Sequence, residues 1–218
     1  RVIPRSVPAP TRFPICLFLA LSAGVFAQET SVNPGINASY LSEDMVVASW
    51  VERLEREGRE VADNRDAIVA RIGIKPGMEI ADIGTGTGLF LPTLSAAVGE
   101  QGKVYAVDII EKFLAHVHTH IERRGWKNVE TVLCTERSAE LAPNSVDLAF
   151  ICNVYHHFEY PADTLASLHR ALRPGGRIFL LEYRGEDESV PIRPLHKMTE
   201  EQVVKEMGVF GLEWTDTL

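Results

Sequence analysis

Three glycines at alternate positions mark the place where this sequence could bind a nucleotide-like molecule. They lie in "EIADIGTGTGLF", residues 79–90, directly after an alternating run that predicts a β-strand. Glycine lets the backbone turn sharply and approach a ligand without a side-chain clash. The helix expected next begins with unpaired amides, which favour a carboxylate or a phosphate. Gly84, Gly86 and Gly88 therefore predict a cofactor-binding turn.

The glycine spacing and one acidic residue narrow the choice of cofactor. A dinucleotide turn needs the pattern GxGxxG, but Leu89 occupies the position of its third glycine. The next predicted strand ends in "VYAVD", which puts Asp108 24 residues after Gly84 (108 minus 84). An acid about 20 residues after such a turn typically accepts the hydroxyls of a ribose. A structural glycine turn and a helix-capping aspartate are the alternatives at this point.

Strands and helices alternate around these residues with short connections. The predicted strands cover residues 78–83, 104–107, 129–133, 146–151 and 177–181, and the predicted helices cover 89–98, 111–124 and 161–172, with "RPGG" as a turn and a last helix capped by Thr199 and Gln202. This order predicts an α/β, doubly wound and mostly parallel sheet with helices on both faces. The first strand should be central, with the ligand site at the carboxyl ends of the strands.

The composition is that of one globular domain. The chain has 218 residues, 45% of them hydrophobic, and a formal net charge of -8. The absence of a basic stripe argues against nucleic acid as a partner. We expect N-terminal helices within 41–72, a cofactor-binding core at 76–184 and a C-terminal part, 185–218, that lacks the last strands of the sheet. The sequence does not indicate an oligomeric state.

The first 27 residues have the features of a secretory signal peptide. Arg1, Arg5 and Arg12 precede the uncharged run "FPICLFLALSAGVFA", which ends in small residues suited to cleavage after Ala27. A linker at 28–40 would follow, and the mature protein would be exported or periplasmic. The alternative is an uncleaved anchor, with a membrane-bound or cytoplasmic protein; no other membrane contact is expected.

Four segments together resemble the class I S-adenosylmethionine-dependent methyltransferases. They are "EIADIGTGTG", "VYAVD", "SVDLAFICNVYHHF" and "ALRPGGRIFLLEYR", and the resemblance extends from about Val46 to the C-terminus. It implies the same fold and S-adenosylmethionine as cofactor. The residues that would contact this cofactor are Asp82, Gly84, Thr85, Gly86 and Gly88 at the methionine part, Asp108 at the ribose, Ile109 at the adenine and Asn153 at the amino end.

The adenine contact departs from the family pattern. The resemblance implies an acidic residue after the third strand that reads the adenine amino group. The best-aligned position in "CTERSAEL" holds Arg137, so Glu136 or Ser138 is expected to substitute. This departure gives some support to an alternative in which the domain binds the cofactor but no longer transfers methyl groups.

The transferred methyl is already electrophilic on its sulfonium, so the protein mainly has to align an acceptor. A base is needed only for a protonated acceptor, and "NVYHHF" supplies the candidates His156 and His157. Their alternative role is packing in a loop. We expect a small-molecule acceptor, and no metal, because no cluster of cysteine, histidine and carboxylate has ligand spacing. Cys134 and Cys152 are expected to be buried free thiols, and a dinucleotide-dependent oxidoreductase is the less favoured enzyme class.

Overall fold

The computed structural model describes residues 28–189 and 191–216, so the predicted signal peptide lies outside the described residues. Its centre is a parallel sheet in the order β3-β2-β1-β4-β5. The strands are β1 (Glu79–Ile83), β2 (Lys103–Asp108), β3 (Val129–Leu133), β4 (Val146–Cys152) and β5 (Leu172–Leu181). The predicted fold class and the central position of the first strand are confirmed. The strands β2 and β3 lie on one side of β1, and β4 and β5 lie on its other side, so the direction of winding reverses at β1.

Helices cover both faces of the sheet. They are α1 (Ala38–Leu41), α2 (Val47–Glu55), α3 (Glu60–Asp63), α4 (Arg65–Ile72), α5 (Leu91–Val98), α6 (Glu111–Arg124), α7 (Pro161–Ala171) and α8 (Glu200–Gly208). Alternate residues of β1 enter opposite apolar clusters: Ile80 packs in the cluster with α4 and α5, and Ala81 packs in the cluster with α7. Burial on both faces explains why β4 is a nearly continuous apolar run, interrupted only by Asp147. Among the described residues, no helix has the length and apolar character needed to cross a membrane.

The N-terminal helices are shorter than the sequence pattern predicts. Gly58 adopts a positive φ of 80° and lies in the break between α2 and α3, and Asn64 separates α3 from α4. Val46, which we expect on the apolar face, precedes α2 and is 59% exposed. Glycine readily adopts a positive φ, and the chain uses that freedom here to redirect the helices.

The strand β5 begins earlier than predicted and contains the "RPGG" turn. Its pairing with β4 jumps from Val146 opposite Leu172 to Leu148 opposite Arg177, so residues 173–176 bulge out of the ladder. Gly175 has a φ of 78° within this bulge. The turn signal therefore identifies an irregularity inside the strand, and periodicity alone did not reveal the residues that pair before it.

Two terminal segments dock against the core. The Thr199 hydroxyl accepts the backbone N–H of Gln202 at 3.1 Å, which provides the predicted cap of α8. At the other end, the segment 28–37, predicted as a linker, lies against the start of α7. Its contacts include the Val32 N–H, which donates to the Glu159 carbonyl at 2.9 Å, and the Ser31 hydroxyl, which donates to the Glu159 carboxylate at 2.7 Å.

Candidate functional site

The carboxyl ends of β1, β2 and β4 open into one cavity with a volume of about 180 Å³. Among the predicted cofactor-binding residues, those that line it are Asp82, Gly84, Thr85, Gly86, Asp108, Ile109, Glu136, Ser138 and Asn153. Gly88 is not part of the lining. A Cβ at Gly88 would lie 3.0 Å from Leu91 Cδ1 and 3.2 Å from Val117 Cγ2, so this glycine permits close packing of α5 and α6.

The glycine turn is held in a conformation that other residues rarely adopt. Gly84 and Gly86 have φ values of 67° and 54°. A Cβ at Gly84 would lie only 2.4 Å from Val154 Cγ1, whereas the nearest atom to a Cβ at Gly86 would be the Gly84 carbonyl oxygen at 3.9 Å. Gly84 is therefore required for the approach of the loop after β4. Gly86 leaves open space beside the cavity that it lines.

Asp108 ties the glycine turn to the second strand. Its Oδ2 accepts the Gly86 N–H at 2.8 Å, and its Oδ1 accepts the Ile110 N–H at 2.9 Å. Burial raises the pKa of Asp108 to about 6, while these amide donors act in the opposite direction. Each carboxylate oxygen still has an acceptor site left, because an ionised carboxylate accepts about four hydrogen bonds.

Asp82 is a second buried carboxylate beneath the turn. Its Oδ2 accepts the Thr85 hydroxyl at 2.7 Å. Burial raises the pKa of Asp82 to about 7, the Thr85 hydrogen bond lowers it, and the nearby Asp108 raises it further. The hydrogen bond fixes the side chain of Thr85 beneath the glycine turn, so Asp82 helps to order this turn.

Asn153 supplies a buried side-chain donor that a ligand could pair with. It adopts a φ of 53°, and its backbone N–H donates to the Leu181 carbonyl at 2.8 Å. Asn153 lines the cavity, and its side-chain Nδ2 is buried without a hydrogen-bond partner among the described residues. A buried donor without an acceptor is costly and uncommon. A ligand carbonyl or carboxylate would satisfy this amide, so the donor set fits the cofactor that the resemblance implies.

Arg137, in the loop after β3, occupies the position where the resemblance implies an acidic residue, and its contacts explain its presence there. Glu136 and Ser138 line the cavity, but Arg137 does not. Its guanidinium forms an ion pair with Asp163, donates to the Gln28 carbonyl at 2.6 Å and lies 3.6 Å from the centre of the Tyr160 ring. Arg137 thus holds the segment 28–37 against α7. The adenine contacts of Glu136 and Ser138 stay predictions.

The two predicted catalytic histidines lie in a one-turn 3₁₀ helix, Tyr155–His157, after β4. His156 shares a 2.7 Å hydrogen bond between its Nδ1 and Glu182, and His157 pairs its Nδ1 with the Asn37 amide oxygen at 3.1 Å. Only His157 lines the cavity. Burial, and then the neighbouring histidines, lower the pKa of His157 to about 3, so it is uncharged at neutral pH and a weak base.

A third histidine joins this pair from a distant loop. His196 lies with its ring centre 5.0 Å from that of His156 and 5.4 Å from that of His157. One ligand atom from each ring lies within 4.8 Å of the others. The spacing argument from which we expect no metal cluster did not find this group, because tertiary packing brings together residues 40 positions apart (196 minus 156). The only sequence signal was the locally basic segment "VPIRPLHKM".

The two cysteines line the cofactor cavity between strand ends. Cys134 and Cys152 are free and partly buried. Burial raises the pKa of Cys134 to about 12 and also raises the pKa of Cys152. Both therefore remain protonated and poorly nucleophilic at neutral pH.

A second, polar pocket lies beside the first, and Tyr40 lines both. Tyr40 stacks on Trp50 with ring centres 4.3 Å apart, and the Arg53 guanidinium lies 5.0 Å from the Trp50 ring. Arg193 and His196 complete the wall from the late loop. Residues of the N-terminal helices and of the late loop, 185–198, thus meet at this pocket.

The sequence is similar to those of known methyltransferases. The family described as "Methyltransferase domain" matches residues 81–180. A ubiquinone/menaquinone biosynthesis C-methyltransferase, UbiE, from Shewanella oneidensis is 28% identical over 137 residues, which are 62% of this chain and 54% of the relative. The chain therefore spans about half the length of the curated relatives that it matches.

Solved structures agree with the fold. A SAM-dependent methyltransferase from Aquifex aeolicus has a TM-score of 0.68 and 29% identity, covering 75% of this chain and 87% of that protein. A phosphoethanolamine N-methyltransferase from Haemonchus contortus, solved with S-adenosyl-L-methionine, has a TM-score of 0.59 and 21% identity, covering 77% and 44%. At that identity it supports the fold alone. With the glycine turn, Asp108 and the parallel sheet, the match over residues 81–180 and the Aquifex structure support one conclusion: this chain contains a methyltransferase domain of the class I, S-adenosylmethionine-dependent type.

Proposed function

We propose that this chain transfers a methyl group from S-adenosylmethionine to a small organic molecule. The observation that carries the proposal is the cavity at the strand ends. There, the glycine turn, the buried Asp108 carboxylate and the unpartnered Asn153 amide converge. The chemistry that S-adenosylmethionine supplies when bound is an electrophilic methyl group on sulfur.

Each group in the cavity has a binding task in this proposal. The open space beside Gly86 would admit the methionine part, and the Asn153 Nδ2 would donate to its carboxylate. The free acceptor sites of Asp108 would take the ribose hydroxyls. The buried position of Asp108, 6% exposed, makes such hydrogen bonds strong, because water competes poorly there.

The acceptor would enter through the second pocket. Its wall combines an aromatic stack, Tyr40 on Trp50, with the cations Arg53 and Arg193. Such a wall suits a flat or anionic small molecule, since aromatic faces stack and guanidinium groups bind anions. The similarity to UbiE, a C-methyltransferase of ubiquinone/menaquinone biosynthesis, supports a small-molecule acceptor class.

Proton removal would depend on the acceptor. His156 is held by the Glu182 carboxylate, the arrangement in which a carboxylate orients an imidazole base. His157 reaches the cavity but is a weak base. Methyl transfer to an already unprotonated acceptor would need neither residue to move a proton, and alignment would then account for most of the rate.

A label-transfer experiment tests the proposal. The full chain would be incubated with methyl-labelled S-adenosylmethionine and, separately, with small-molecule, protein and nucleic-acid fractions of a host extract. The proposal predicts label in the small-molecule fraction, and loss of that signal with Asp108→Asn. Label confined to protein or nucleic acid would contradict the acceptor class. Cofactor binding without any transfer to these fractions would favour the alternative of a non-catalytic domain.

A further inference from the structure

Three imidazoles from two distant turns meet at the boundary between the two pockets. His156 and His157 follow β4, and His196 ends the 3₁₀ turn Pro194–His196. The ring centres of His156 and His157 are 4.3 Å apart, and His196 lies within 5.4 Å of both. Among the described residues, no hydrogen bond joins one of these rings to another, so direct pairing does not explain their convergence. Three imidazole nitrogens are a donor set that zinc and other first-row transition metals bind.

Two of the rings are also held as metal ligands are held. His156 Nδ1 lies 2.7 Å from Glu182 Oε2, and His157 Nδ1 lies 3.1 Å from the Asn37 amide oxygen. Each oxygen accepts an Nδ1–H, which leaves the lone pair of Nε2 free. Glu182 is itself fixed, because its Oε1 accepts the Tyr155 N–H at 2.7 Å. A second layer of acceptors that sets the tautomer and orientation of each ring is typical of histidines that bind metal.

The position of the three histidines between the two pockets indicates a chemical role for a bound ion. His157 lines the cofactor cavity, and His196 lines the second pocket with Arg193. The side chains of His156 and Glu182 are each 5% exposed, so water reaches this end of the cluster poorly. An ion held by three histidines keeps a coordination position for water or a ligand oxygen.

We propose that His156, His157 and His196 bind one divalent transition-metal ion of the zinc class. Its remaining coordination position would hold an oxygen of the acceptor in the second pocket; this role, unlike the metal binding itself, rests on the proposed function. Glu182 and Asn37 are positioning residues, which orient two of the imidazoles without touching the ion.

Cobalt binding is a direct test, because Co²⁺ reports its coordination through visible absorption and binds the same sites as zinc. The full chain, stripped with a chelator, would be titrated with Co²⁺ and then with Zn²⁺ as competitor. We expect one equivalent of Co²⁺ with the intense bands of a tetrahedral site, which Zn²⁺ abolishes. His196→Ala should weaken Co²⁺ binding by at least about 100-fold, and Glu182→Gln by about 10-fold to 100-fold.

His118→Ala is the matched control, because His118 is exposed on α6 outside the cluster. It should bind Co²⁺ like the unsubstituted chain, and thermal unfolding would establish that each variant is folded. Absence of cobalt bands from the folded, unsubstituted chain would overturn the proposal, as would equal Co²⁺ affinity of the His196→Ala and His118→Ala variants. Calorimetry of the metal-free chain with S-adenosylmethionine separates the two proposals: cofactor binding without cobalt binding refutes only the metal site.

Discussion

Asp108 has two tasks at once. Its carboxylate holds the glycine turn through the Gly86 amide and the start of the next segment through the Ile110 amide. Asp108 also lines the cavity in which we propose that a ribose binds. The binding site is thus organised before the ligand arrives, which lowers the ordering cost of binding.

The two glycines that line the cavity should respond differently to substitution. Gly84→Ala combines a strained φ with a 2.4 Å contact to Val154, so we expect a loss of about 2 to 4 kcal/mol in the free energy of unfolding. Adding Val154→Ala should recover the part caused by the contact. Gly86→Ala should lose only about 1 kcal/mol, because it meets open space. Denaturant unfolding measures all three; equal losses for both single variants would contradict the contact argument.

The buried Asp82 should make stability depend on pH. Its pKa rises from 3.8 to about 7 on folding, so the folded state holds the proton more tightly between these values. The free energy of unfolding therefore falls as the pH rises through this window. Asp82→Asn removes the penalty, and its stability relative to the unsubstituted chain should increase between pH 5 and pH 8 by on the order of a few kcal/mol.

Chemical denaturation of the ligand-free chain at the two pH values measures this effect. Asp66→Asn is the control, since the Asp66 side chain is 77% exposed and should give the same difference at both. A relative stability of Asp82→Asn that does not change with pH would show that the carboxylate is not buried as described.

At the scale of elements, the segment 28–37 depends on Arg137. The guanidinium contacts Asp163, the Gln28 carbonyl and the Tyr160 ring, all at the start of α7 or in the docked segment. Arg137→Ala should release the segment, and the Val32 amide, which donates to Glu159, should exchange its hydrogen faster by about tenfold or more. Hydrogen exchange with Arg123→Ala as the control measures this. Unchanged protection of Val32 would mean that the other contacts suffice.

The elements also show what the sequence could and could not predict. Hydrophobic periodicity and turn residues place all five strands and the helices α5 to α7, because local patterns specify them. The pattern predicts a new helix after Gly58, but the further break at Asn64 was missed, since short apolar stretches fit one helix as well as two shorter ones. The approach of His196 to His156 was missed for another reason. It depends on how a late loop packs, and this packing cannot be predicted from the spacing of residues in the sequence.

At the scale of the whole molecule, the residues proposed to bind the cofactor and those proposed to bind the acceptor lie largely in different parts of the chain. The family match covers residues 81–180, which contain the glycine turn, Asp108 and Asn153. The second pocket is built from residues 33–53 and 193–196, outside that stretch. The similarity to known methyltransferases therefore informs the cofactor far more than the acceptor.

The predicted signal peptide leads to a separate prediction about the whole molecule. Export with cleavage after Ala27 predicts that Gln28 is the first residue of the mature protein in its host. N-terminal sequencing of the protein from periplasmic and cytoplasmic fractions would measure this. A chain that retains residues 1–27, or that occurs only in the cytoplasm, would contradict the prediction.

The most direct test of the central claim is calorimetric titration of the full chain with S-adenosylmethionine and, in parallel, with a nicotinamide dinucleotide. The claim predicts one bound S-adenosylmethionine per chain, no binding of the dinucleotide, and an affinity about 10-fold to 100-fold lower in Asp108→Asn, since a charged hydrogen-bond acceptor is lost. Binding of the dinucleotide alone, or equal S-adenosylmethionine affinity in Asp108→Asn, would contradict it.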